Sequence, residues 1–277
     1  MLDTVIHNER VRVRSLGYRT DLAVRQAEGS TVTDRGDHIV VRTDQNPRYW
    51  WGNFILLASP PSGGEIAGWL DSFAVTFPAA RHRTFGVDVT RAADVDEAVF
   101  TSAGLAADRG IVLTAGGVRE PPRPHPGAVI RPLAGADDWR QACELRAACS
   151  AADDQAASPE DHQFIELRTI SRRQLAEARR ATWFGAFTGG SLVAQLGLVP
   201  VPGSLARFQD VETHPSFRRQ GLAGTLVWHA ARYGLDELRA TTLVIVADHG
   251  SPASRVYASV GFEPAEDTIS FALAPRP

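Results

Sequence analysis

Lysine is absent from the sequence: all 29 basic residues among the 277 are arginines. This absence excludes enzymes whose chemistry needs a lysine, including P-loop nucleotide hydrolases, protein kinases, Schiff-base enzymes and pyridoxal phosphate enzymes. The net charge is also small, at −3. We therefore expect neither a nucleic acid nor a membrane surface as a partner, because both favour a strongly positive surface.

Cysteine and long apolar runs are scarce as well. The two cysteines, Cys143 and Cys149, are too few for a disulfide framework or a structural zinc site, and we expect them to be buried. No apolar run approaches the roughly 18 residues that span a bilayer, and the N-terminus lacks a basic and apolar signal segment. These observations predict a cytoplasmic protein.

Proline is concentrated in one place. Four prolines fall between residues 121 and 126, and such a run can continue neither a helix nor a central strand. Residues 118–127 are therefore predicted to form a stiff linker. The linker divides the chain into residues 1–117 and residues 128–277, which are both of ordinary domain size.

Both parts show alternating strand and helix patterns. In the C-terminal part we expect a helix through Trp139, Cys143 and Leu145, strands at 129–133, 183–187, 192–198, 206–213 and 241–247, further helices at 158–180, 222–234 and 251–260, and one or two strands from 262. Ser158 is the expected N-cap of the helix that it begins. In the N-terminal part we expect strands at 38–43, 54–58, 84–89 and 111–115 and helices at 64–77 and 94–107. Its order of elements repeats the end of the C-terminal part, which indicates an internal duplication.

The segment from Phe208 to Gly224 has the composition of an anion-binding site. A strand leads into a loop that contains Arg218 and Arg219, and a helix begins after Gly221. The first N–H groups of a helix have no partner within it and point outward beside the positive end of the helix dipole. Small residues there let phosphate groups approach the backbone. The alternative is a plain strand–turn–helix junction with two solvated arginines.

Two motifs together resemble the GNAT superfamily of acyl-CoA-dependent N-acyltransferases. Arg218-x-x-Gly221-x-Ala223, preceded by Thr213-His214-Pro215, looks like the pyrophosphate loop of that superfamily. Residues 250–262, Gly-Ser-Pro-Ala-Ser-Arg-Val-Tyr-Ala-Ser-Val-Gly-Phe, resemble its Asn-x-x-Ala-x-x-x-Tyr-x-x-x-Gly-Phe. The resemblance covers roughly residues 128–277.

Two positions depart from the superfamily's pattern. Gly250 stands where an Asn is frequent, so that a polar contact to the pantetheine arm is lost or is supplied by Asp248 or Ser251. Ala223 stands where Gly is commonest, a change that the superfamily tolerates.

The resemblance implies an α/β (α+β) fold of two tandem GNAT-like domains, each a mixed, mostly antiparallel sheet flanked by helices. Residues 128–277 would be the GNAT catalytic domain. Residues 1–117 would be a degenerate half, because the strand at 54–58 is followed by Ser59-Pro60-Pro61-Ser62-Gly63-Gly64. Prolines lack the N–H donors that a phosphate cradle needs.

The resemblance also implies a site for acetyl-CoA (CoA). The strand before the loop would contact the pantetheine arm through Val211, Glu212 and Thr213. The other contacts would come from the loop, the first helical turn and the second motif, namely Arg218, Arg219, Gln220, Gly221, Leu222, Ala223, Gly224, Thr225 and Ala253. No metal is implied, and no cluster of His, Asp and Glu in the sequence suggests one.

Direct attack of an amine on the thioester needs a base and an acid. Tyr257 matches the superfamily's usual acid position, and its alternative role is to pack its helix on the sheet. Glu212 and Asp210 are the candidate bases. Strand alternation places both on one face, opposite to Val211 and Thr213. His214 is expected to be a loop or cap residue.

The sequence therefore predicts an acyltransferase that moves an acetyl (acyl) group to the primary amine of a small molecule. The 158–180 segment and the additional domain could cover the site and leave no long peptide groove. Two alternatives stay open, a non-catalytic protein that binds or senses acyl-CoA and a protein or peptide N-acetyltransferase. The oligomeric state is open as well, with a homodimer among the alternatives.

Overall fold

The computed structural model describes residues 13–153 and 159–273. The helices of this part are α1 (Leu16–Ala27), α2 (Ile66–Thr76), α3 (Glu97–Thr101), α4 (Gly135–Asp153), α5 (Pro159–Glu177), α6 (Leu222–Asp236) and α7 (Pro252–Val260). Its strands are β1 (Thr31–Asp34), β2 (His38–Arg42), β3 (Phe54–Leu57), β4 (Arg83–Val87), β5 (Ala106–Ala115), β6 (Val129–Pro132), β7 (Thr182–Thr188), β8 (Ser191–Val201), β9 (Leu205–Thr213), β10 (Thr242–Asp248) and β11 (Glu263–Leu273).

The described strands form one mixed sheet in the order β1-β2-β3-β4-β11-β5-β10-β9-β8-β7-β6. The pairs β3–β4 and β9–β10 are parallel, and the other neighbouring strands of this sheet are antiparallel. The predicted fold class, a mixed and mostly antiparallel sheet flanked by helices, is confirmed.

The two halves of the chain exchange strands at the centre of this sheet. Strand β5, which precedes the linker, lies between β10 and β11. Strand β11, which follows it, pairs with β4 of the first half. The predicted division at residues 118–127 therefore coincides with no break in the sheet.

The helices cover both faces of the second half. Helices α6 and α7 enclose one apolar cluster, which includes Leu226, Val260 and Phe262. Helices α4, α5 and α1 enclose another, which includes Trp139 and Trp183. The candidate site lies between these two layers, where β9 and β10 meet.

Local signals account for several of the elements. Gly189 and Gly190 both have positive φ, 58° and 84°, as a tight hairpin between β7 and β8 requires. Ser251 caps α7, and Gly261 ends it in a left-handed conformation. These elements lie where the sequence predicts them. The expected N-cap at Ser158 lies outside the described residues.

One prediction for the first half is wrong. The segment 94–107 is not one helix, because Asp96 caps the short helix α3 and Gly104, with a φ of 86°, ends it before β5 begins. Helix α1 and strand β1 were not predicted. The C-terminal segment, for which one or two strands were expected, is the single strand β11.

Candidate active site

A wedge opens between the parallel strands β9 and β10. Their pairing runs only from Leu205 with Thr242 to Arg207 with Val244, after which the rest of β9 leaves β10. The parallel pair β3–β4 in the first half behaves differently, since the N–H of Asp88 still bonds the carbonyl of Leu57 at 2.8 Å beyond the last strand residue. The separation therefore belongs to the second half.

The loop at the mouth of the wedge presents backbone donors. Gly221 caps α6 in a left-handed conformation with φ 85° and makes no side-chain cap. In the described part of the chain, no group accepts a hydrogen bond from the N–H of Leu222, Ala223 or Gly224. These donors, beside the exposed Arg219, make the start of α6 suited to a phosphate.

The linker borders this loop. The hydroxyl of Thr225, predicted as a cofactor contact, accepts a hydrogen bond of 2.9 Å from the N–H of His125 and donates one of 3.0 Å to the carbonyl of Gly221. The buried Pro121 lies against Gly224. The Thr225 hydroxyl therefore holds the linker against α6.

The other end of the linker is fastened to α7. The N–H of Arg119 bonds the carbonyl of Val260 at 2.9 Å. Its guanidinium donates to the carbonyls of Ala258 and Ser259, at 2.8 and 3.1 Å. The linker thus crosses both helices that flank the wedge and forms one border of the site.

Asp210 and Glu212 lie on one face of β9, and a β-bulge puts them there. The register of β9 with β8 shifts between Gln209 and Glu212, and Asp210 has a left-handed φ of 49°. Phe208 faces α6 and α7, so without the bulge Asp210, two residues later, would face them too. The bulge turns both carboxylates toward α4 and α5.

Arginines hold both carboxylates on that face. Glu212 pairs with Arg146 of α4 and accepts a hydrogen bond of 2.8 Å from the side chain of Gln195. Asp210 pairs with Arg172 of α5 at 2.6 Å and lies 3.8 Å from Arg168.

The ion pairs make the two candidate bases unequal as proton acceptors. Burial alone would raise the pKa of Asp210, but Arg172 and Arg168 outweigh it and lower the pKa to about 2. A carboxylate of such low pKa is a poor proton acceptor near neutral pH, so the geometry disfavours Asp210 as the base. Glu212 is the stronger candidate because its partner, Arg146, is 33% exposed, and each carboxylate oxygen keeps a further lone pair.

Tyr257 of α7 lies on the side of the sheet that α6 and α7 cover, opposite to the two carboxylates, and is 5% exposed. Burial raises the pKa of its hydroxyl well above the usual value, against the opposing charge of Arg207. The hydroxyl has no hydrogen-bond partner among the described residues, while the ring packs with Phe262. Tyr257 therefore packs its helix and also presents a protonated hydroxyl.

The other residues of β9 and the loop that were predicted to contact CoA are partly engaged in contacts within the protein. The carbonyl of Thr213 already accepts hydrogen bonds from Arg218 at 3.3 Å and from the thiol of Cys149 at 3.4 Å. Val211 is half-buried against the cluster under α6 and α7. Gln220 is exposed and bonds the carbonyl of Ser216.

Residues near the second motif and His214 have local roles. Ser251 accepts a hydrogen bond from the N–H of Ser254 at 3.4 Å, so it caps α7 instead of replacing the missing Asn. Ala253 packs at the rim of the cluster under α6 and α7. His214 accepts a hydrogen bond of 3.3 Å from the N–H of Ser216, which is the cap role expected of it.

The wedge and loop fit the diphosphate and the extended arm of CoA. The open N–H groups of Leu222 to Gly224 supply donors for phosphate oxygens, and the separated strands leave backbone free for an extended ligand. In the first half, the carboxylate of Glu65 accepts bonds of 2.7 and 2.8 Å from Ser62 before α2. A carboxylate there repels phosphate, so that half does not fit CoA.

Residues 13–153 and 159–273 contain no group of three or more His, Cys, Asp or Glu side chains placed to hold a metal ion. They contain no helix with the length and apolar character needed to cross a membrane.

The sequence of the second half matches a known family. Residues 139–262 match the model of the acetyltransferase (GNAT) family. The matched segment is a GNAT acetyltransferase domain. No curated protein significantly matches the chain.

Solved structures resemble the whole chain, including the half that precedes the GNAT domain. A functionally unknown conserved protein from Staphylococcus epidermidis ATCC 12228 has a TM-score of 0.70 at 10% identity, over 90% of this chain and 95% of its own. A GCN5-related N-acetyltransferase from Kribbella flavida has a TM-score of 0.64 at 17% identity, over 95% and 97%. A tandem GNAT protein from the clavulanic acid biosynthesis pathway has a TM-score of 0.54 at 15% identity, over 90% and 84%. At these identities the likeness shows the fold, a GNAT domain in a tandem arrangement.

Proposed function

We propose that the chain transfers an acetyl or other acyl group from acyl-CoA to the primary amine of a small molecule. The observation that carries this proposal is the wedge itself, with open backbone donors at the start of α6 on one side and the protonated hydroxyl of Tyr257 at its wall. Acetyl-CoA supplies an activated acyl group on a thioester. The residues of the chain bind it, orient it, accept a proton from the amine and hydrogen-bond the leaving sulfur.

The nitrogen of the acceptor attacks the thioester carbon, and the carbon–sulfur bond breaks. Glu212 takes the proton that the ammonium group gives up before the attack, directly or through one water. The second proton, which the nitrogen loses as the carbon–sulfur bond breaks, goes to the leaving sulfur, so that CoA departs as the thiol. The hydroxyl of Tyr257 donates a hydrogen bond to the leaving sulfur. Because the pKa of Tyr257 is raised, it stabilises the sulfur's charge better than it surrenders its proton.

The experiment that tests cofactor binding is calorimetric titration of CoA into the wild-type protein and two variants. Ala223→Glu places a carboxylate at the start of α6, where the phosphates would bind, and is expected to weaken CoA binding at least tenfold. Gly64→Glu is the matched control in the first half, since a side chain at Gly64 meets no atom within 4 Å. It should bind CoA with wild-type affinity.

Release of CoA thiol from acetyl-CoA with a broad panel of amines then tests turnover. Amine-dependent release supports the proposal. A folded wild-type protein that does not bind CoA refutes it. A protein that binds CoA but releases no thiol with any amine is the non-catalytic acyl-CoA binder, which the ion pairing of both candidate bases favours.

A further inference from the structure

A cluster of charged side chains lies on the face of the sheet that α1, α4 and α5 cover. Its carboxylates and guanidinium groups are Asp21, Glu28, Asp210, Glu212, Arg25, Arg146, Arg168, Arg172 and Arg207. Five groups are positive and four are negative, so the cluster carries one positive charge in excess.

Each carboxylate of this cluster already has an arginine partner. The pairs are Asp21 with Arg25 at 2.9 Å, Glu28 with Arg25 at 2.9 Å and with Arg168 at 2.6 Å, Asp210 with Arg172 at 2.6 Å, and Glu212 with Arg146. Four of the five arginines are thereby neutralised.

Arg207 is the arginine that remains. It is 8% exposed, and its Nε and Nη1 atoms are buried without a hydrogen-bond partner. No described carboxylate forms an ion pair with it. Burial lowers the pKa of this guanidinium, against the opposing effect of Asp21. Burying a charge without a counter-charge is strongly unfavourable, so the fold holds a cation that an anionic ligand would stabilise.

Arg207 lies where the wedge begins. It is the last residue of β9 to pair with β10, opposite Val244. Its side chain points away from α6 and α7, because it alternates with Ala206 and Phe208, which pack under those helices. The guanidinium therefore lies at the start of the wedge, on the face of the sheet that α1, α4 and α5 cover.

We propose that Arg207 binds a carboxylate of the substrates that meet in the wedge. A guanidinium donates charge-assisted hydrogen bonds to a carboxylate, and the Nε and Nη1 atoms of Arg207 have no hydrogen-bond partner among the described residues. The excess of one charge matches a monoanion, whereas a phosphate dianion would leave the cluster negative. The inference rests on the acyl transfer proposed above and names its substrate class.

The carboxylate could belong to the amine or to the acyl group. The position of Arg207 favours the amine, since the phosphate loop lies with α6 on the other face of the sheet. The acceptor is then an amine that also carries a carboxylate, as an amino acid does. A dicarboxylic acyl group on CoA is the other source, and the experiment separates the two.

The experiment measures kcat/KM for thiol release from acetyl-CoA with each standard amino acid and with its α-amide. The two members of a pair share an amine and differ in the carboxylate. We expect at least one amino acid to exceed its amide by about 30-fold or more in the wild type. Arg207→Met should lower the ratio of the two rates to about one.

Two further variants serve as controls. Arg173→Met removes an exposed arginine of α5 that pairs with Glu177 at 2.7 Å, and it should keep the wild-type preference. Arg207→Gln removes the same charge with a polar side chain and should behave as Arg207→Met does. Because Met replaces an unpaired buried charge, we expect its thermal unfolding midpoint to be no lower than that of the wild type.

A second series replaces acetyl-CoA by succinyl-CoA with the amides as acceptors. An Arg207-dependent preference for succinyl-CoA would place the carboxylate on the acyl group. Equal rates for amino acids and amides, together with equal rates for both acyl donors, would overturn the inference while leaving acyl transfer intact.

Binding without turnover is detected as a rise in the thermal unfolding midpoint when the same amino acids or amides are added. If no amine is acylated but amino acids raise the midpoint of the wild type and not of Arg207→Met, acyl transfer fails and the carboxylate site stands. If neither turnover nor this Arg207-dependent shift is seen, both proposals fail.

Discussion

The carbonyl oxygen of Arg123, in the linker, lies against Gly221 at the start of α6, in the space that a side chain on residue 221 would occupy. Gly221 also has a φ of 85°, a conformation that costs other residues roughly 1–2 kcal/mol. Glycine is therefore required here for two reasons, the backbone conformation and the approach of the linker. Only the first of them is readable from the motif.

The two reasons can be separated by mutation. Gly36 has a similar φ of 89°, and a side chain there would meet no atom within 4 Å. We expect Gly36→Ala to lower the free energy of unfolding by roughly 1–2 kcal/mol, and Gly221→Ala to lower it further because the linker must move. Urea unfolding of both variants measures the difference. Equal losses of unfolding free energy in the two variants would show that the linker moves away from residue 221 at no cost in stability.

Tyr257 is predicted to act on the leaving sulfur. Tyr257→Phe should reduce kcat/KM for acyl transfer by about 100-fold or more, with the affinity for CoA and the unfolding midpoint unchanged. Because burial raises the pKa of Tyr257, the wild-type hydroxyl stays protonated and should cause no loss of rate up to roughly pH 10.

The matched control for this variant is Tyr233→Phe, in which the hydroxyl removed lies 3.4 Å from that of Thr182. It should leave the rate of acyl transfer at the wild-type value. Unchanged rates in Tyr257→Phe would leave helix packing as the only role of Tyr257.

Asp210 is predicted to make stability depend on acidity. Its pKa is lowered to about 2 in the folded protein, so the ionised form stabilises the fold above the usual pKa of an aspartate. That contribution is lost as the pH falls toward 2. At neutral pH we expect the free energy of unfolding of the wild type to be roughly 2 kcal/mol larger than that of Asp210→Asn. This difference should shrink between about pH 5 and pH 2.

Chemical unfolding over that pH range makes the comparison. Asp236→Asn removes an aspartate that is 54% exposed and pairs with Arg232, and it should show little effect, since solvent screens such pairs. A difference for Asp210→Asn that persists unchanged to pH 2 would contradict the role given to Arg168 and Arg172.

The strand exchange predicts that residues 128–277 do not fold alone. Without the first half, β10 and β11 lose β5, which lies between them, and two rows of backbone groups become exposed. We expect the isolated segment to be insoluble or unfolded by circular dichroism.

The control leaves every strand in place and only cuts the chain. A protease site introduced at the exposed residues 122–124, when cleaved in the folded protein, should give two fragments that elute together on size-exclusion chromatography. A soluble, folded 128–277 fragment would show that β11 can pair without β5.

Local signals made much of the second half predictable from the sequence. Gly221, the capped start of α7 at Ser251 and the glycine hairpin at 189–190 each act through their own backbone conformation or their nearest neighbours. For that reason the loop and the helices that flank the wedge lie where the sequence predicts them.

Features that depend on distant parts of the chain could not be predicted in this way. The pairing of β11 with β4 joins segments far apart in sequence, and the ion pairs of Asp210 with α5 depend on how that helix docks. The bulge at Asp210 carries no glycine to mark it. Arg207, a charge between the apolar residues Ala206 and Phe208, was visible in the sequence, but its lack of a partner was not.

The exchange of β5 and β11 also bears on the order in which the protein can form during synthesis. Strand β4 can pair with β11 only after the ribosome has synthesised the segment between them, which contains the GNAT domain. The first half therefore cannot complete its sheet as an independent unit, unlike the domains of most multidomain chains. Until β11 arrives, the edge of β4 is open, and the nascent chain depends on its last strand to protect the first half from aggregation.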